Sequence, residues 1–95
     1  MRTVWKFPFA LSDRPMVRIP RGGSILRVDV DHAAGDYGVM AVWAQVDTEN
    51  PLEDRPLFVT GTGQELPDGD LVYLGSIMDR RTRDVFVWHV WEHPE

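Results

Sequence analysis

Apolar residues in this chain come in short runs, each closed by Gly, Pro or Asp. The runs are Thr3–Phe9, Met16–Ile19, Ser24–Asp31, Val39–Val46, Leu57–Thr60, Leu71–Met78 and Val85–Trp91. Val, Ile, Phe, Tyr and Trp fill them, as half-buried strands prefer. No run carries a helical period of useful length. The spacing predicts an all-β fold, a compact antiparallel small barrel or sandwich of about six or seven short strands.

Within the runs, alternation assigns faces. In Ser24–Asp31, Leu26, Val28 and Val30 point one way, toward a core; Arg27, Asp29 and Asp31 point the other, toward water. Val39–Val46 is apolar on both faces apart from Gln45, which predicts a central strand. Pro8 confines the end of the first run to an edge or a bend. Turns are expected at Pro20-Arg21-Gly22-Gly23, Ala33-Ala34-Gly35-Asp36, Leu66-Pro67-Asp68-Gly69-Asp70 and the charged tip Asp79–Asp84. Gly75 inside a strand marks a bulge or a close backbone approach. Thr48–Arg55 reads as a polar loop, and Pro51 would suit the first position of one short helical turn over Asn50–Asp54.

The last run is apolar on both sides. Phe86, Trp88 and Val90 share one face; Val85, Val87 and Trp91 share the other, with His89 among them. Such a strand must be covered on both sides. Either the Trp5/Phe7/Phe9 face or closure into a barrel supplies the second cover, or part of this surface docks a partner. Trp and Tyr dominate interface anchors, so the candidate partner-binding residues are Phe86, Trp88, Trp91 and Trp5.

Length and composition narrow the picture. The chain of 95 residues predicts a single β domain spanning residues 1–95. Absence of cysteine excludes disulfides, thiolate zinc sites and a thiol nucleophile, and leans toward the cytoplasm. A formal net charge of -5 argues against a broad phosphate-binding surface, so nucleic acid is not expected as a partner. The N-terminal run is broken by Lys6 and Pro8, unlike a secretory signal, and no stretch is long enough to span a membrane.

Candidate chemistry is sparse. His89 and His93 have a spacing used by helical metal sites, but in a strand they lie about 13 Å apart, too far to share an ion. Asp29 and Asp31 share a face, yet a calcium loop fails at Ala33, and a solvated polar face fits them better. Gly61-Thr62-Gly63 lacks the third glycine of a dinucleotide fingerprint, since Leu66 stands there, and no lysine follows it. The triplet still suits close approach of a ligand to the backbone, which makes Gly61, Thr62 and Gly63 an alternative ligand-binding site. Ser24 and Ser76 lack the glycine two residues on that a nucleophile elbow needs. Arg80, Arg81 and Arg83 beside Asp79 and Asp84 read as a soluble hairpin tip. No enzyme, metal or cofactor is expected.

One further pattern is legible. Val4-Trp5-Lys6-Phe7-Pro8-Phe9, Ile19-Pro20-Arg21-Gly22-Gly23-Ser24-Ile25-Leu26-Arg27-Val28 and Val42-Trp43-Ala44-Gln45-Val46-Asp47 open it. Phe58-Val59-Thr60-Gly61-Thr62-Gly63, Tyr73-Leu74-Gly75-Ser76 and Val87-Trp88-His89-Val90-Trp91-Glu92 complete it. In this order they resemble a family of small uncharacterised bacteriophage and prophage proteins, over nearly the whole chain. The chain departs at Gln45, where an apolar residue would be expected. The resemblance implies a phage origin and action in the host bacterial cytoplasm, and it brings no activity or site. The expectation is a phage-encoded accessory protein that binds a host or phage protein without catalysis. The alternatives are a small-ligand binder using loop 61–63 and a homo-oligomeric or virion-associated component.

Overall fold

In a computed structural model, which describes residues 1–34, 38–79 and 86–93, the apolar runs pair into two antiparallel sheets. The strands are β1 (Arg2–Ala10), β2 (Met16–Pro20), β3 (Ser24–Val30), β4 (Val39–Asp47), β5 (Leu52–Gly61), β6 (Val72–Asp79) and β7 (Phe86–Glu92). A 3-10 turn, His32–Ala34, follows β3. The first sheet has the order β1-β4-β3 and the second β2-β5-β7-β6. The sheets face each other and do not close into a barrel, so the sandwich alternative is the architecture adopted.

The core lies between them. Met40, Val42, Ala44 and Val46 project from β4, Val17 and Ile19 from β2, Leu57 and Val59 from β5, Ile77 from β6 and Val90 from β7. Period-two alternation puts these residues on the inner faces. β4 is central, as its two-sided apolar pattern predicts. On its outer side Ala41, set between Pro8 of β1 and Asp29 of β3, is fully buried.

Three expectations are corrected. Leu26 is 56% exposed, because a bulge between Ile25 and Arg27 leaves it unpaired and hands its inward place to Ile25. Asp31 is buried, not solvated, because Lys6 reaches over from β1 to pair with it. Residues 52–54 extend β5 rather than forming a helical turn: Leu52, Glu53 and Asp54 pair with Pro20, Ile19 and Arg18, which uses their backbone groups in the ladder. The Gly75 expectation holds. It sits at a β-bulge with φ +150°, and a Cβ there would approach Val28 Cγ1 to 3.0 Å, so the glycine lets β6 lie close to β3 of the other sheet.

An ion pair fixes one end of the sandwich. The Arg55 guanidinium makes a two-point contact with the Glu92 carboxylate on the adjacent strand: Nε donates to Oε2 and Nη2 to Oε1. Its Nη1 donates to the carbonyl of Gly23, 2.8 Å away, which ties the β2–β3 turn to the second sheet. The Glu92 hydrogen bond holds Arg55 above its ordinary pKa, against burial, which acts to lower it.

Candidate functional site: the outer face of the second sheet

β7 lies between β5 and β6, and its alternation gives each side a different fate. Val90 is wholly in the core and Trp88 packs against it. The opposite side carries Val87, His89, Trp91 and His93 outward. The Trp5/Phe7/Phe9 face does not cover that side: Phe7 and Phe9 pack into the same core as Val90. Neither does barrel closure. Among the described residues, no strand of the first sheet packs on the outer face of the second.

Register builds a row of rings on that face. Phe58 of β5 is opposite Trp91, and Trp91 is opposite Tyr73 of β6. Tyr73 meets Trp91 edge-on, with centroids 4.7 Å apart and planes at 65°. Phe58 meets His93 edge-on at 6.4 Å, and the Arg14 guanidinium lies 5.4 Å from the Phe58 centroid. Trp91 Nε1 donates to Thr60 Oγ1 at 3.2 Å, which satisfies the indole and keeps Thr60 buried beneath it.

The next row supplies polar groups. Thr60, His89 and Ser76 are opposite one another across the three strands. Thr62 Oγ1 lies 2.9 Å from His89 Nε2, and the Tyr73 hydroxyl lies 3.0 Å from His89 Nδ1. Both ring nitrogens are therefore engaged by hydroxyls. In the neutral imidazole one nitrogen donates and the other accepts, and each hydroxyl adapts to either role. The result is an orienting clamp on the imidazole, whose plane is tilted 38° from the Tyr73 ring at a centroid distance of 6.0 Å.

The residues singled out from sequence fall in different places. Phe86 and Trp88 stack at 5.2 Å on the inward side, with Phe86 51% exposed. Trp88 Nε1 donates to Asp79 Oδ2 at 3.3 Å. Trp5 is 42% exposed in the first sheet, 6.4 Å from Phe7. Of the four aromatic candidates, only Trp91 belongs to the outer face. The loop glycines have structural roles. Gly61 is buried, and a Cβ on it would lie 3.6 Å from both Phe86 and Trp88. Gly63 has φ +89° within the turn closed by Gln64 N donating to Gly61 O at 3.1 Å. Thr62 alone faces the site. Arg80, Arg81 and Arg83 lie outside the described residues.

Sequence reasoning missed Phe58, Tyr73 and the engagement of His89. Alternation within β7 already groups His89 with Trp91. Tyr73 was hidden by the Gly75 bulge, which shifts the register between Tyr73 and Gly75 and breaks parity along β6. Among the described residues, no group of three His, Asp or Glu is placed to hold a metal ion. No helix among them is long and apolar enough to cross a membrane.

The chain belongs to a family defined only as a domain of unknown function, DUF7352, which matches residues 1–95. No curated protein and no solved structure matches it.

Proposed function

We propose that this member of the family is a non-catalytic accessory protein of phage or prophage origin. It binds a host or phage protein in the bacterial cytoplasm through the outer face of the β5–β7–β6 sheet. The observation that carries this reading is the register-matched row Phe58–Trp91–Tyr73 on a face that no strand of the other sheet covers. Aromatic anchors give large contact area at low entropic cost, and those that are already held lose least on binding. Trp91 is held by Thr60 and by the Tyr73 ring, and Tyr73 is held by His89.

A non-catalytic reading also suits the hydroxyl–imidazole row. Thr62 beside His89 has the reach of a nucleophile and a base. The third member is a phenol, however, and a phenol cannot stabilise an imidazolium as a carboxylate does. The test is affinity capture from infected or lysogenic cells with the wild type and Tyr73→Glu in parallel. A partner held by the wild type and lost from the folded variant supports the reading; equal capture by both overturns it.

The Thr62–His89–Tyr73 arrangement favours a second reading, a small-ligand binder. Thermal shifts of the wild type and Thr62→Val against a nucleotide and metabolite panel decide it: a shift abolished by the substitution supports it, and no shift with any compound rejects it for those ligands.

A further inference from the structure

The outer face of the first sheet carries a second, unrelated feature. Lys6, Trp43 and Arg27 are opposite one another across β1, β4 and β3. Beside this row is an open concavity of about 630 Å³, lined by these three residues together with Asp29, Asp31 and the 3-10 turn. That volume lies within the range of small-molecule sites. The cations and carboxylates are rooted at different levels. Lys6 and Arg27 flank Trp43, Asp29 is level with Ala41, and the Asp31 amide donates to the Val39 carbonyl at 3.0 Å.

All four charges are paired inside the concavity. Lys6 Nζ is 3.0 Å from Asp31 Oδ1 and Arg27 Nη2 is 2.6 Å from Asp29 Oδ2. The Arg27 guanidinium also lies over Trp43, 5.8 Å from the ring centroid. The pairs are unequal. The Asp31 side chain is only 6% exposed while Lys6 is 37% exposed and Arg27 68%. A carboxylate buried in this way cannot be left without a cation at low cost, whereas the two exposed cations rehydrate readily.

We propose that this concavity binds a small zwitterion, an α-amino acid with an apolar side chain. Its ammonium replaces Lys6 at the buried Asp31, its carboxylate takes the cations of Lys6 and Arg27, and its side chain lies along Trp43. The pairing imposes an order among ligands. A carboxylate alone would draw Lys6 away and orphan Asp31, so it binds least. An ammonium alone can take the Asp31 position but leaves Lys6 without a new partner, so it binds more weakly than the zwitterion. This site is on the opposite sheet from the proposed protein-binding face and does not depend on that reading.

The matched probes are phenylalanine, 2-phenylethylamine and 3-phenylpropionate, titrated into the isotopically labelled protein and followed by amide and side-chain chemical shifts. The expected result is saturable perturbation centred on Lys6, Arg27, Asp29, Asp31 and Trp43 and limited to these and the adjoining lining residues Val30, His32 and Ala33 with phenylalanine. The amine should be weaker by about tenfold and the acid weaker still. Arg27→Gln, at an exposed position, should weaken phenylalanine by about tenfold without weakening the amine, because it frees the Asp29 carboxylate. Asp31→Asn should remove both; should it fail to fold, the Arg27→Gln comparison decides. No perturbation of these residues at about 10 mM phenylalanine, or equal binding of the acid and the amino acid, overturns the proposal.

Discussion

Tyr73 joins both parts of the outer face: its ring meets Trp91 at 4.7 Å while its hydroxyl lies 3.0 Å from His89 Nδ1. One side chain on an edge strand thus orders the aromatic row and the polar row together. Tyr73→Phe removes only the hydroxyl link and should cost no more than about 1 kcal/mol in urea denaturation, because the site is open to water. Its signature is in the imidazole: the two ring nitrogens of His89 should change their tautomer ratio in nitrogen-detected spectra while the Trp91 shifts stay in place.

The Arg55–Glu92 pair should show the asymmetry of enclosed charges. Glu92→Gln removes the two-point contact and leaves the guanidinium only the longer Glu53 contact, 3.6 Å from Nη1, and should cost up to about 3 kcal/mol. The double change Arg55→Met with Glu92→Leu should recover most of that loss. Urea midpoints of the two variants and the wild type check both statements. A double variant no better than the single one would mean that the Gly23 carbonyl contact matters more than the charge.

Asp29 predicts a pH dependence. Burial pushes its carboxyl up, but the Arg27 hydrogen bond, the Val30 amide and the Arg27 charge outweigh it, and the group is held below its ordinary value of 3.8. A carboxyl lowered in the folded state binds fewer protons there than in the unfolded chain, so its stabilisation is complete above 3.8 and is lost as pH falls through the lower folded value. The stability difference between wild type and Asp29→Asn should therefore be constant at neutral pH and shrink below pH 3.8. Added salt should reduce it throughout, because the pair is partly exposed.

Two substitutions test the bulges. Gly75→Ala places a Cβ 3.0 Å from Val28 Cγ1 at φ +150° and should destabilise by about 2 kcal/mol through strain and overpacking. Leu26→Thr, at the bulged and exposed position on β3, should change stability by no more than about 0.5 kcal/mol. Equal effects from the two would contradict the register described for both sheets.

The same bulges mark where the fold stops being legible in the sequence. Short turn-bounded runs announce an antiparallel all-β fold without choosing between barrel and sandwich, and the two-sided apolar pattern of residues 39–46 announces a central strand. Alternation fails where one extra residue enters a strand. At Leu26 it turns a predicted core residue outward, and at Gly75 it conceals that Tyr73 shares a face with Trp91. Asp31 illustrates another limit, since a carboxylate reads as solvated until a cation from a distant strand is seen beside it. The apolar excess of β7 was visible, but its division was not. Phe86 and Trp88 lie against Gly61 on the inner side, and Trp91 alone contributes to the outer row.

The proposed recognition face is tested most directly by site-specific photocrosslinking in cells that carry the phage or prophage. A photoreactive phenylalanine analogue replaces Tyr73, which is 49% exposed on the outer face of the second sheet, or Leu26, which is 56% exposed on the first sheet. The account predicts a discrete protein adduct from position 73 and none of that mass from position 26. No adduct at position 73, or the same adduct from both positions, would contradict it.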